Sequence, residues 1–327
     1  MVRMLRAPPN SAPQLLGLSP TIAGTLCCAT AALSYTMSSI CMRQLSALKC
    51  DEMWATCNKE LVTVLAAGPW LLVAACRGRR VLPSWRTVGA LLLVGLAVQL
   101  AGNLASQWAY GKVGLAIVIA ANVGTTLTAS ALMGRLFLGE RVSLRSAAAL
   151  AMLLGSLGLL ALGAEAAGRQ VSPTSDSWLI AAAVAAACGA GVIYAVLSIT
   201  IRHTVTRTTR VSVLVFAITV MGVVSLGPLS VCRLGVEHLL NTPPEHFALM
   251  YAAGTFNLIG FLAITKGLQL TSVVHANVLN ASQVALAAVA GVLYFHEPAN
   301  PWLLLGIGLT ILGLIVIDRP SDAAETV

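Results

Sequence analysis

Uncharged polar side chains recur in register within otherwise apolar runs of this sequence, and they are the first candidates for chemistry on a solute. Gln99, Asn103 and Gln107 fall every four residues and so share one helix face. Asn277, Asn280 and Gln283 fall every three and cover one arc of another helix. Asn122, Asn257, Tyr35 and Tyr194 sit in further apolar runs, accompanied by Thr125, Thr126 and Thr255. A polar group placed in hydrocarbon costs free energy until it finds a partner. Either these side chains glue helices together, at about 0.6 kcal/mol per contact, or they converge on a cavity. On the second reading the binding set is Tyr35, Gln99, Asn103, Gln107, Asn122, Tyr194, Asn257, Asn277, Asn280 and Gln283, with a small zwitterionic or anionic metabolite as ligand.

Titratable residues inside apolar runs form a second group. Lys59 and Glu60 must be drawn into a helix, because the charge-free run that follows them is only 16 residues long and a hydrocarbon core needs roughly 20. Lys59 either snorkels to the headgroups or faces a cavity or a partner, as intramembrane charges do. His275 has no charged residue within eight positions on either side; it is a bundle-packing histidine or, with Glu60, a proton-coupling group. Lys266 and Lys59 are expected near the mouths of the cavity, attracting a negative group. Glu140 and Glu297 each follow an apolar run, and a carboxylate there suits the start of the following helix, where the helix dipole favours negative charge.

The elements that must position these groups follow from where charge is missing. Of 327 residues, 57% are hydrophobic and 10% charged, against about 25% charged in soluble proteins. Ten stretches lack Lys, Arg, Asp and Glu for 16 or more residues: 7–42, 61–76, 87–111, 113–134, 146–164, 177–201, 211–232, 246–265, 267–296 and 298–317. Their apolar runs are continuous rather than alternating, which excludes a membrane β-barrel. The reading is an all-α integral membrane protein of ten transmembrane helices.

With the N-terminus cytoplasmic, fourteen Lys and Arg fall on the cytoplasmic side and six, including Arg43 and Lys59, on the other, as the positive-inside rule requires. Residues 1–19 and 319–327 are then cytoplasmic segments, in a protein of the cell membrane. GRLFLGERVS (134–143) and GVLYFHEPAN (291–300) align at an offset of 157, superimposing Glu140 on Glu297. Tyr35, Ser39 and Arg43 align with Tyr194, Ser198 and Arg202 at an offset of 159. The chain therefore divides into five-helix repeats, 20–163 and 177–318. An odd number of helices per repeat inverts the second copy, the build of many secondary transporters.

The segments LFLGERVSLRSAAALAMLLGSLGLLAL (136–162) and LYFHEPANPWLLLGIGLTILGLIVI (293–317) resemble the repeat ending of the drug/metabolite transporter superfamily, in its EamA-like ten-helix branch. Lys59 stands where that family often carries a basic residue. Lys266 and the lack of a basic counterpart to Lys59 in span 7 depart from its pattern. The resemblance implies an exporter of amino acids or related metabolites, with nucleotide-sugar or organic-phosphate exchangers as relatives.

Other classes find little support. There is no H-E-x-x-H, G-x-S-x-G or P-loop, so no enzyme is indicated. Eight dispersed cysteines lack metal-ligand spacing, so neither metal nor cofactor is expected. The +8 net charge is spread over short loops, unlike a nucleic-acid stripe. A scaffold or receptor would be expected to carry a soluble domain, and the longest predicted loops are about a dozen residues. The expected partners are a small solute and the lipid bilayer, and oligomeric state is not legible.

Overall fold

The structure, a computed structural model, describes residues 19–78, 83–138, 147–149, 151–156, 158–159, 162, 171, 176–205, 211–271, 273–280, 282–297 and 300–316. Among them every regular element is helical. The helices are α1 (Pro20–Ala47), α2 (Glu52–Cys76), α3 (Trp85–Val113), α4 (Leu115–Leu138) and α5 (Ala147–Ser156). They continue as α6 (Ser177–Val205), α7 (Val211–Leu234), α8 (Pro244–Leu270), α9a (Val273–Asn280), α9b (Gln283–Leu293) and α10 (Pro301–Val316), with a short helix Val236–Leu240 before α8. Among the described residues seven of these, α1 to α4 and α6 to α8, are long and apolar enough to cross a membrane. Glu140 lies outside the described residues, as do both ends of the chain.

Local signals set the starts. Ser19 caps α1, accepting from the Ile22 N–H ahead of Pro20, whose fixed φ suits the first helical position. The Asp51 carboxylate accepts from the Met53 and Trp54 N–H groups, both at 3.0 Å, and so starts α2 early enough to include Cys57 to Glu60. Pro69 lies inside α2 and Pro228 inside α7, each preceded by Gly, and the two Gly-Pro pairs are 159 residues apart. An in-helix proline removes a backbone donor, so α2 and α7 each lack one ladder hydrogen bond at the same spacing in the two halves.

Each of the main packing contacts crosses between the two halves of the chain: α1 lies along α8, α4 along α6, and α2 along α7. Two apolar clusters fill the interior. One gathers Leu45, Leu115, Leu127 and Val284, the other Leu214, Ile218, Phe261 and Leu268. Large apolar side chains such as Leu65, Leu72, Leu93 and Leu132 face outward, which suits a lipid environment. All eight cysteines are free thiols.

Candidate functional site

Between the two apolar clusters lies one cavity of about 190 Å³ that both halves line. Nine of the ten residues expected to bind solute surround it: Tyr35, Gln99, Asn103, Gln107, Asn122, Tyr194, Asn257, Asn280 and Gln283. The tenth, Asn277, lies in α9a, and its side chain falls outside the described residues. Ser38, Ser39, Ser106 and Tyr110 also line the cavity and were not singled out as binding residues. The spacing of Tyr35 to Ser39, and of Ser106 and Tyr110 beside Gln107, was the available signal.

The polar side chains are hydrogen-bonded in several groups, the largest of them centred on Asn103. Asn103 Nδ2 donates to Gln99 Oε1 at 2.8 Å and to Glu60 Oε1 at 3.0 Å, while its Oδ1 accepts from the Tyr194 hydroxyl at 2.9 Å. Gln99 Nε2 donates to the Ile218 carbonyl at 3.3 Å. Gln107 Nε2 donates to the Met42 carbonyl at 3.0 Å and to Ser46, and Asn122 Nδ2 donates to Ser106 Oγ at 3.1 Å. Because each chain of bonds ends on a carbonyl or a carboxylate, which cannot donate, the amide orientations are fixed by their partners.

Backbone irregularity coincides with the site. From Val98 to Asn103 α3 widens into a π-helical turn, with the Leu104 N–H bonded to Gln99 C=O five residues back. Such turns are rare and frequent at functional sites, and this one carries Gln99 and Asn103. Span 9, expected to be continuous, ends one segment at Asn280 and starts the next at Gln283, so both cavity residues stand at the interruption. The stripe of three on this helix thus crosses a break instead of following one helix face.

Lys59 and Glu60 are buried, at 6% and 1% exposure, with Lys59 Nζ 3.0 Å from Glu60 Oε1. This overturns snorkelling: the ammonium is held inside the protein by a carboxylate. Lys266 is not among the lining residues and donates to Gln269 Oε1 at 3.2 Å. His275, half-buried in α9a, is likewise not among the lining residues.

Glu297 has a different partner from the one expected. Its carboxylate accepts from the Leu115 N–H at 2.8 Å and the Ala116 N–H at 3.3 Å, capping α4 of the other half rather than the helix that follows it. Asn300 caps α10 instead, accepting from the Leu303 N–H at 2.7 Å. Arg43, counted among the basic residues of the non-cytoplasmic side, lies within α1, is 7% exposed and pairs with Glu297 at 3.3 Å while covering the Phe295 ring. Gly114 makes the approach feasible: its φ is +85°, and a Cβ there would stand 2.5 Å from Glu297 Oε1. Arg43, Glu297 and the α4 N-terminus form a clasp between halves, one residue beyond the cavity-lining Met42. The Asp51–Arg233 pair at 3.0 Å and the Trp54–Thr242 hydrogen bond join the halves at the same end.

Two tyrosines meet glycines across the halves in reciprocal fashion. The Tyr194 ring packs on Gly102 of α3, where a Cβ would come within 3.0 Å, and the Tyr35 ring packs on Gly260 of α8, where a Cβ would come within 2.9 Å. Tyr35 and Tyr194 are 159 residues apart and the two glycines 158.

Comparison with known proteins bears on the second half. Residues 181–318 match the EamA-like transporter family. The match agrees with the resemblance to the drug/metabolite transporter superfamily read from the sequence. One solved crystal structure superposes with a TM-score of 0.60 at 17% identity, covering 90% of this chain and 96% of the other, a likeness of fold alone. No curated protein matches. With seven apolar helices of spanning length, the EamA-like match makes this a multi-pass membrane protein.

Proposed function

We propose that the chain is a secondary transporter of small organic metabolites that works by alternating access, built as two inverted five-helix repeats with both termini cytoplasmic. The observation that carries this is the cavity itself: a polar-lined space between the halves, at an interrupted α9 and a π-turn of α3. Discontinuous helices at a site between repeats are how transporter folds present polar groups in a membrane. The recurring Gly-Pro pairs and the reciprocal tyrosine-on-glycine contacts support an inverted duplication.

In this scheme the Arg43–Glu297 clasp holds one end of the cavity shut, and opening toward that face breaks it. A volume of about 190 Å³ is below the roughly 300–1,000 Å³ of drug-sized sites. That favours a compact metabolite over a nucleotide sugar. The purified protein in liposomes, challenged with amino acids, amines, organic acids and sugars, should move at least one class faster than empty liposomes. Flux of none of them would leave a scaffold or receptor as the better account.

A further inference from the structure

Resting on the reading of this cavity as a transport site, we propose that its ligand is a small solute carrying a protonated amine, which binds at Glu60 in place of the Lys59 ammonium. The hydrogen-bond balance of the wall points there. Five of the seven lining amides already donate: Gln99 Nε2 to Ile218, Asn103 Nδ2 to Glu60 and Gln99, Gln107 Nε2 to Met42 and Ser46, Asn122 Nδ2 to Ser106, and Gln283 Nε2 to the Asn280 carbonyl. Acceptors are left over. Glu60 Oε2, Gln107 Oε1, Asn122 Oδ1 and Asn280 Oδ1 are buried without a hydrogen-bond partner among the described residues. All four belong to residues lining the cavity, and Glu60, Gln107 and Asn122 are more than nine-tenths buried.

Buried acceptors left unpaired are costly, and each calls for an explanation. A wall with buried spare oxygens, one of them on a carboxylate, fits a ligand that brings donors. An ammonium supplies three donors and no acceptor, whereas a carboxylate would bring further acceptors to a wall already in surplus.

Charge selects the same ligand. Among the described residues Lys59 and Glu60 are the only charged ones that line the cavity, and they neutralise each other. An anion arriving at Lys59 would have to draw the ammonium away and strand the buried Glu60 carboxylate, a severe cost. An incoming ammonium takes over the carboxylate and frees Lys59. Freeing Lys59 carries the same desolvation cost, offset when its long stem carries the ammonium toward water or when a carboxylate on the same solute meets it. A simple amine and an amino-acid zwitterion therefore share the essential contact.

The test uses full-length protein in nanodiscs and three probes of one shape: 3-methylbutylamine, leucine and 4-methylpentanoate. Thermal unfolding should shift upward with the amine and not with 4-methylpentanoate. A shift with leucine as well would identify the zwitterion as a substrate form, and its absence would confine the site to simple amines. Glu60→Gln should weaken amine binding about tenfold or more, the value of one charge-assisted hydrogen bond. Lys59→Met removes the competitor and should tighten amine binding by a similar factor, which keeps the test decisive if Glu60→Gln does not fold. The proposal is overturned if the amine gives no shift, if 4-methylpentanoate gives the larger one, or if Lys59→Met binds the amine no better than the parent. Liposome flux separates the two readings. Carboxylate flux without amine binding would sink this inference alone, and amine binding without any flux would sink transport alone.

Discussion

Lys59 and Glu60 of α2 stand 159 residues before Ile218 and Thr219 of α7, the spacing of the two tyrosines and the two Gly-Pro pairs, and all four line the cavity. The scaffold positions correspond while the chemistry does not. On the first-half wall an ion pair, Gln99 and Asn103 are bonded together. On the second-half wall Ile218 offers only its carbonyl, and Thr219 turns its hydroxyl back onto the Val215 carbonyl at 2.9 Å. In the proposed scheme the two halves are the surfaces that move against each other, and the charged pair stands on one of them alone. Rocking of the halves and recognition of solute would then be carried by different residues.

The largest effect should come from splitting the ion pair. Glu60→Leu strands a buried ammonium and should cost about 3–5 kcal/mol of stability, whereas Lys59→Leu with Glu60→Leu should restore or raise stability, because a buried pair replaced by apolar groups is about neutral to 1–4 kcal/mol stabilising. Solute flux should be lost in both. Thermal unfolding beside liposome flux reads the contrast, and a double variant that transports would place recognition elsewhere.

Much of the first-half wall was legible because helical spacing is local. Gln99, Asn103 and Gln107 recur every four residues and the structure brings all three to the cavity. The π-turn that joins Gln99 to Asn103 was not legible, since spacing assumes regular helical geometry. Arg43 follows Tyr35 and Ser39 in four-residue steps, so the sequence places it on their stripe and on the non-cytoplasmic side but says nothing of its burial. Its burial depends on Glu297, 254 positions away, and no local pattern announces such a partner. The partner of Glu297 was misread for the same reason: the helix next in sequence was chosen over the helix next in space. His275 and Lys266 do not line the cavity, and a lone titratable group in an apolar run gives no spacing from which a shared face could be read.

A smaller effect is expected from Asn103→Leu, which leaves Glu60 short of a donor and Tyr194 short of an acceptor. Each buried group left unpaired costs about 1–3 kcal/mol, so both stability and flux should fall. Asn280→Leu removes an amide oxygen that has no partner, so flux should fall with stability near the parent's. Equal destabilisation by the two substitutions would show that the walls do not differ as described.

The smallest contrast lies in the tyrosines. Tyr194→Phe deletes the hydroxyl that bonds Asn103 and should cost about 1 kcal/mol. The Tyr35 hydroxyl makes no hydrogen bond with the described residues, so Tyr35→Phe should leave unfolding temperature unchanged. A Tyr35→Phe protein as destabilised as Tyr194→Phe would dissolve the asymmetry drawn between them.

The central claim is that the halves rock about this cavity, exposing it to each face of the membrane in turn. Val123→Cys, a lining position on α4, in a background with the native cysteines replaced by Ala, measures it directly. A membrane-impermeant thiol reagent is applied to right-side-out and inside-out vesicles, with and without transported solute. The account predicts labelling from both faces, with solute changing the two rates in opposite directions. Labelling from one face only, at a rate indifferent to solute, would contradict it.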